Sequence, residues 1–134
     1  MRNSDVCGDL HILVVDDNHD QAIISTLLLE LHGFQVSMRS NGKECIEATQ
    51  LLKPDVIITD VDMPVMDGIT ACNFIRQQQW GKHIVIIVVS GNVEKLQGDP
   101  AQISCFDAHF IKPVQYEYLI DTIWKTINKK SDMI

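Results

Sequence analysis

Residues 84–89 read Ile-Val-Ile-Ile-Val-Val, six β-branched aliphatics with no polar residue among them. A strand made of such a run has no face to turn toward water, so it belongs in a parallel sheet covered by helices on both sides. The run is far too short to cross a bilayer. Residues 12–15, 35–38, 56–59 and 109–111 are also short, rich in apolar or β-branched residues and bounded by polar or turn residues, which predicts five strands.

Segments of helical period separate these strands. Ile24, Leu27, Leu28 and Leu31 stand at i, i+3, i+4 and i+7 and define the apolar face of a first helix, closed at His32-Gly33 by a left-handed glycine. Cys45, Ala48, Thr49 and Leu52 repeat the spacing before Pro54, and a third helix is expected after Gly68 with Ala71, Phe74 and Ile75 inward. Tyr116, Leu119, Ile120, Ile123 and Ile127 form the stripe of a last helix. Between Ser90 and Phe106, Gly98 and Pro100 forbid one continuous helix. There Asp99 as N-cap, Pro100 as first helical residue and Gln102 as capping-box partner predict a short fourth helix of roughly two turns. Right-handed crossovers then predict an α/β fold, a doubly wound (βα)5 parallel sheet of strand order 2-1-3-4-5.

A chain of 134 residues, 46% hydrophobic and 22% charged, has room for one ordinary core. The expected division is an extension at residues 1–9, one domain at 10–129 and a tail at 130–134. Residues 1–9 lack the apolar segment of a signal peptide, so the expected location is the cytoplasm, with no membrane association. Cys7, Cys45, Cys72 and Cys105 stand singly, which predicts free, mostly buried thiols rather than disulfides or a zinc site. A formal charge of −7 with scattered basic residues repels phosphate backbones and argues against nucleic acid as a partner.

In an open α/β sheet the working groups gather beyond the carboxyl ends of the strands. Strand one ends in Asp16-Asp17, strand three in Asp60, strand four in Ser90 and strand five in Lys112. Clustered carboxylates repel one another unless a cation joins them, and Mg²⁺, which prefers oxygen ligands and bridges carboxylates to phosphates, suits the set. Asp60, on the central strand between the acidic side and the Ser90/Lys112 side, is the best-placed nucleophile for an aspartyl phosphate. Ser90 is placed to donate a hydrogen bond to the new phosphoryl group, and Lys112 to balance its charge.

The pattern Asp16-Asp17, then Asp60-Val61-Asp62-Met63-Pro64-Val65-Met66-Asp67-Gly68, then Ser90-Gly91, then Lys112-Pro113 resembles the full signature of response-regulator (CheY-like) receiver domains over about residues 10–129. The resemblance implies a flavodoxin-like fold and a two-component or phosphorelay role. It implies Asp60 as phosphoacceptor, with Mg²⁺ held by Asp17, Asp60 and the backbone carbonyl of Asp62 and reached by Asp16 through water. It also implies Ser90 as switch hydroxyl, Lys112 as phosphate contact and a cis peptide before Pro113. The partner implied is a histidine kinase or histidine phosphotransfer domain, and homodimerisation through the fourth helix, fifth strand and last helix is allowed. Such a domain catalyses its own phosphorylation and dephosphorylation and is not an enzyme acting on a separate substrate pool. The stretch 106–113 is similar to receivers of hybrid sensor kinases, and His109 and Phe110 both stand as candidates for the family's switching aromatic.

Alternative readings meet specific obstacles. A receiver-like binding module without phosphorylation would not need Asp17, Asp60, Ser90 and Lys112 together. A haloacid-dehalogenase-like phosphatase would use Asp62 as general acid, but Pro64 stands where that motif wants Thr or Val. A flavin binder needs a phosphate-cradling loop where Asp16-Asp17 stands. Asp67-Gly68 reads as a cap and tight turn, one of Asp16 and Asp17 as a helix cap, and His11, His19 and His83 as surface groups. Asp62 and Asn92 are expected to flank the path of the hydrolytic water and to set the lifetime of the phosphoryl state, and Trp124 divides between packing and a contact surface.

Overall fold

Parallel strands cannot be joined by tight turns, so each polar-to-apolar alternation of the chain carries a crossover helix. The computed structural model describes residues 10–98 and 100–132, the side chains of Gln102 and Asp132 excepted. Its strands are β1 (His11–Val15), β2 (Gln35–Arg39), β3 (Val56–Thr59), β4 (Val85–Ser90) and β5 (Ala108–Ile111). The helices are α1 (His19–Leu31), α2 (Gly42–Leu52), α3 (Gly68–Gln77), α4 (Val93–Leu96), α5 (Pro100–Ile103) and α6 (Tyr116–Asp132). All pairings among these strands are parallel, and the order β2-β1-β3-β4-β5 is the one expected.

Burial on both faces of β1, β3 and β4 produces two cores. Leu13, Ile57 and Ile86 point toward α2 and α3, meeting Cys45, Ala48, Cys72 and Ile75. Ile12, Ile58 and Ile87 point the other way, toward Ala22 and Leu29 of α1 and Leu119 and Ile123 of α6. Each such fully buried aliphatic contributes about 1.5–3 kcal/mol. Trp124 is half-buried with its ring centroid 5.7 Å from that of Phe34, so it packs. His11 is half-buried and bonded to Ser37, whereas His19 and His83 are exposed.

Three expectations are corrected. On α1, Ile24, Leu27 and Leu31 are exposed, Leu31 by 81%, while Ala22 and Leu29 are buried. The helix carries apolar residues around most of its circumference, and small Ala22 lets it approach the sheet. On α3, Phe74 is exposed and Cys72 takes the inward position. The segment expected to hold one two-turn helix holds two single turns, α4 and α5. Asn92 caps the first by accepting from Lys95 N at 3.1 Å. Pro100 opens the second as expected, while Asp99 and the side chain of Gln102 lie outside the described residues. The last helix, α6, runs through Asp132. Lys130 holds that last turn through Asp107 Oδ1 at 3.2 Å and the Ile84 carbonyl at 3.3 Å.

Gly33 closes α1 with φ of 95°. Cys45, Cys72 and Cys105 are buried thiols, and Cys7 lies outside the described residues. At the amino end of the sheet, Arg76 donates to the carbonyls of Cys105 (2.8 Å), Gly81 (3.0 Å) and Ile84 (2.7 Å) and to Asp107 Oδ2 (2.8 Å). No helix among the described residues is long and apolar enough to cross a membrane.

Candidate functional site

The ladder carries the acidic residues to the rim. Asp16 N donates to Arg39 O at 3.1 Å and Asp60 N to Val15 O at 3.0 Å, so each backbone continues its strand one residue past the assigned end. The helix that follows Asp16-Asp17 is capped by neither. Asn18 is the cap, its Oδ1 accepting from Gln21 N at 3.1 Å, while Asp16 Oδ1 accepts from Asn18 N at 2.9 Å. Both aspartates are thereby left to the rim, and Asp16, Asp17 and Asp60 each offer a carboxylate oxygen within 4.8 Å of the others.

Lys112 closes this group from β5. Its Nζ donates to Asp60 Oδ2 at 2.9 Å and Asp16 Oδ2 at 3.2 Å. Burial opposes the ammonium charge, but the two carboxylates outweigh it and hold the Lys112 pKa above its ordinary value. The Lys112–Pro113 peptide is cis, as expected. Three carboxylates and one ammonium leave two negative charges on this rim, all from hard oxygen donors, which fits one divalent ion of the magnesium type.

The loop after β3 is held tightly. Asp60 Oδ1 accepts from Val61 N at 2.6 Å, and Thr59 Oγ1 donates to the Asp60 carbonyl at 2.9 Å. Gly68 N donates to Val61 O at 2.8 Å, which brings the start of α3 so close that a Cβ on Gly68 would sit 2.0 Å from the Asp60 carbonyl oxygen. Only glycine fits there. Asp67 caps α3 through Thr70 N at 2.7 Å, as expected. From the other side, Gly42 N donates to Met66 O at 2.8 Å.

Ser90 ends β4 buried, its Oγ accepting from Asn92 N at 3.0 Å. It shares with Asp60, Asp62 and Asn92 a shallow cleft of about 580 Å³. The Asp62 carboxylate is engaged by Lys95 Nζ and, at 3.2 Å, by Asn92 Nδ2. The hydrogen bond from Lys95, then that from Asn92, holds it below the usual carboxylate range. A second cleft of about 510 Å³ opens on the other side of Asp60, between α1 and the start of α6, bridged by Ser25 Oγ and Tyr116 Oη at 2.6 Å. On β5, His109 is exposed and Phe110 is half-buried against the α1/α6 core.

Every expected site residue thus stands at the carboxyl rim, with Asp16, Asp17, Asp60 and Lys112 in one group and Ser90 and Asp62 on the adjoining cleft. Sequence reasoning missed Lys95 and Asn18. The run Asn92-Val93-Glu94-Lys95, a cap followed by a first turn, is the signal for the former. Asn18 is the last cap-forming residue before the helix and is the signal for the latter.

A doubly wound sheet carrying an acidic cluster and a lysine at its carboxyl rim defines a class of phosphate-handling signalling module. The family model described as response regulator receiver domain matches residues 12–124, and the chain belongs to that family. It is 31% identical over 118 residues to chemotaxis protein CheY of Bacillus subtilis, covering 87% of this chain and 97% of that protein. It is 33% identical over 118 residues to two-component system protein A of Emericella nidulans, covering 86% of this chain but spanning only 17% of that protein. The receiver domain of a sensor histidine kinase from Pseudomonas aeruginosa, with a magnesium ion coordinated in its active site cleft, superposes with a TM-score of 0.79 at 26% identity, covering 89% of this chain and 98% of that one. Receiver domains are signalling proteins of two-component systems, and a phosphoacceptor role is general among them.

Proposed function

We propose that this domain takes a phosphoryl group onto Asp60 from a phosphohistidine on a histidine kinase or histidine phosphotransfer domain. The observation that carries the reading is the setting of the Asp60 carboxylate, paired with Lys112 at 2.9 Å and grouped with Asp16 and Asp17 on the central strand. Asp17, Asp60 and the Asp62 carbonyl would hold Mg²⁺, with Asp16 acting through water. When bound, the ion offsets the carboxylate charge and that of the incoming phosphoryl oxygens.

An Asp60 oxygen attacks phosphorus in line, the P–N bond breaks and the imidazole leaves. Lys112 Nζ, already on Asp60 Oδ2, transfers a hydrogen bond to a phosphoryl oxygen, and the Ser90 hydroxyl donates to another. Reorientation of Ser90 then moves the loop at Gly91, where a Cβ would meet nothing within 4 Å. Water later attacks phosphorus and restores the carboxylate, with Asp62 and Asn92 setting the lifetime of the phosphoryl state. The domain modifies itself and acts on no separate substrate pool. Exposed Ile24 of α1 lines the cleft beside Asp60 and, with Leu27 one turn further along the helix, suits docking of the donor, and exposed Val93 and Ile111 suit a second copy. The proposal sets the domain at 10–129 of the chain, in the cytoplasm with its donor.

The phosphatase alternative is disfavoured because Lys95 and Asn92 engage the Asp62 carboxylate that would have to serve as its general acid. Incubation with Mg²⁺ and acetyl phosphate, followed by intact mass, tests the assignment. Wild type is expected to gain one phosphate and Asp60→Asn none; equal labelling of both rejects it.

A further inference from the structure

We propose that Cys72 and Cys105 form a dithiol that a hydroperoxide converts into an intramolecular disulfide, stapling α3 to the turn before β5. Nothing in this proposal depends on the phosphoryl chemistry.

Both sulfurs belong to the same core, Cys72 on the inward face of α3 at 1% exposure and Cys105 just after α5 at 8%. The backbone at Cys105 is fixed against α3, because Arg76, one helical turn after Cys72, donates from Nε to the Cys105 carbonyl at 2.8 Å. α5 itself packs on α3. The two thiols lie within hydrogen-bond reach of one another across the junction.

The pair is asymmetric. The Cys72 hydrogen bond, with help from the Arg76 charge, holds the Cys105 thiol below its ordinary range. Burial, reinforced by Cys105, pushes Cys72 up. Cys105, the more exposed of the two, is the nucleophile of this proposal and Cys72 the resolving thiol. Cys45 in the same core is pushed up to about 12 by burial and serves as an internal control.

The Cys105 thiolate attacks the peroxide, the O–O bond breaks, and Cys105 sulfenic acid and an alkoxide form, the latter taking a proton to become an alcohol. The Cys72 sulfur then attacks the Cys105 sulfur. The S–O bond breaks and the hydroxyl leaves with the Cys72 proton as water. Two thiols and one hydroperoxide thus give one disulfide, one alcohol and one water, the sulfurs losing the two electrons that the peroxide gains. The product restrains α4 and α5, the segment linking Ser90 to β5.

The test titrates the full chain with hydrogen peroxide and maps its peptides. The expected result is a 72–105 linked peptide, removed by dithiothreitol, with slower hydrogen exchange in residues 93–107. Cys72→Ser should instead yield a dimedone-reactive sulfenic acid at Cys105, and Cys105→Ser should slow oxidation of Cys72 by about tenfold or more. A bridge from either residue to Cys45 or Cys7, or conversion of Cys105 to sulfinic acid with Cys72 still reduced in wild type, overturns the proposal. The wild-type map stands without the variants, so a misfolded serine variant does not blunt it.

Discussion

Replacing Gly68 by alanine tests how tightly the phosphoacceptor strand is clamped. The new methyl would lie 2.0 Å from the Asp60 carbonyl oxygen, 3.1 Å from the Asp60 carbonyl carbon and 3.2 Å from Thr59 Oγ1. Ordinary contact begins near 3.4 Å, so β3 and α3 must part by roughly 1.4 Å, and both obstacles nearest the methyl are backbone. Overpacking of this kind costs about 1–3 kcal/mol. Weakening the Gly68–Val61 and Thr59–Asp60 hydrogen bonds adds about 1 kcal/mol each, while the better helix propensity of alanine returns about 1 kcal/mol. The net expectation is a loss of about 2–4 kcal/mol, which for a domain of this size lowers Tm on the order of 10 °C. Gly91→Ala is the matched control. Its Cβ meets nothing within 4 Å and its φ is not positive, so it should be neutral or stabilising by up to about 1 kcal/mol. Thermal and urea unfolding followed by circular dichroism reads both. A Gly68→Ala protein melting within about 2 °C of wild type would refute the clamp.

Other consequences are open to direct measurement. Leu29→Ala should cost about 2–5 kcal/mol in urea unfolding, whereas Leu27→Asp, on the exposed face, should stay within about 0.5 kcal/mol yet slow phosphotransfer from a phosphohistidine donor; the opposite order would restore the original helix phase. Arg76→Ala strips donors from three carbonyls and from the partly buried Asp107, so a loss of about 3–5 kcal/mol is expected, and one below about 1 kcal/mol would show the network to be dispensable. Lys95→Ala should raise the Asp62 pKa toward its ordinary 3.8, read by carboxyl NMR titration. Because the pair depresses that pKa, its contribution to stability is present above 3.8 and disappears as pH falls through the lower folded value; a titration unchanged by the substitution would remove Lys95 as the cause.

The rim was legible because a continuously apolar parallel strand ends abruptly, and the first charged residue after it must stand at the sheet edge. That logic marks Asp16, Asp60 and Lys112 without any knowledge of their contacts, while β-branched runs mark the strands and right-handed crossovers their order. Helix phase was less legible. Ile23, Ile24, Leu27, Leu28, Leu29 and Leu31 offer α1 more than one apolar face, and the face chosen is the one where small Ala22 permits close approach. On α3 the bulk of Phe74 favours it as the inward residue, yet the smaller Cys72 is the one buried beneath the helix. Contacts between residues distant along the chain, such as Arg76 with Asp107 or Lys95 with Asp62, leave no periodic trace in the sequence.

The division of the β4–β5 connection into two four-residue turns has a mechanical corollary. A long helix can tilt as a rod and carry a displacement from one end to the other, whereas two short pieces separated at Gly98 would bend before they push. Whatever leaves the Ser90 loop by this route must travel as a local change in which side chains meet the solvent, so a receptor for it would have to read surface chemistry rather than an angle.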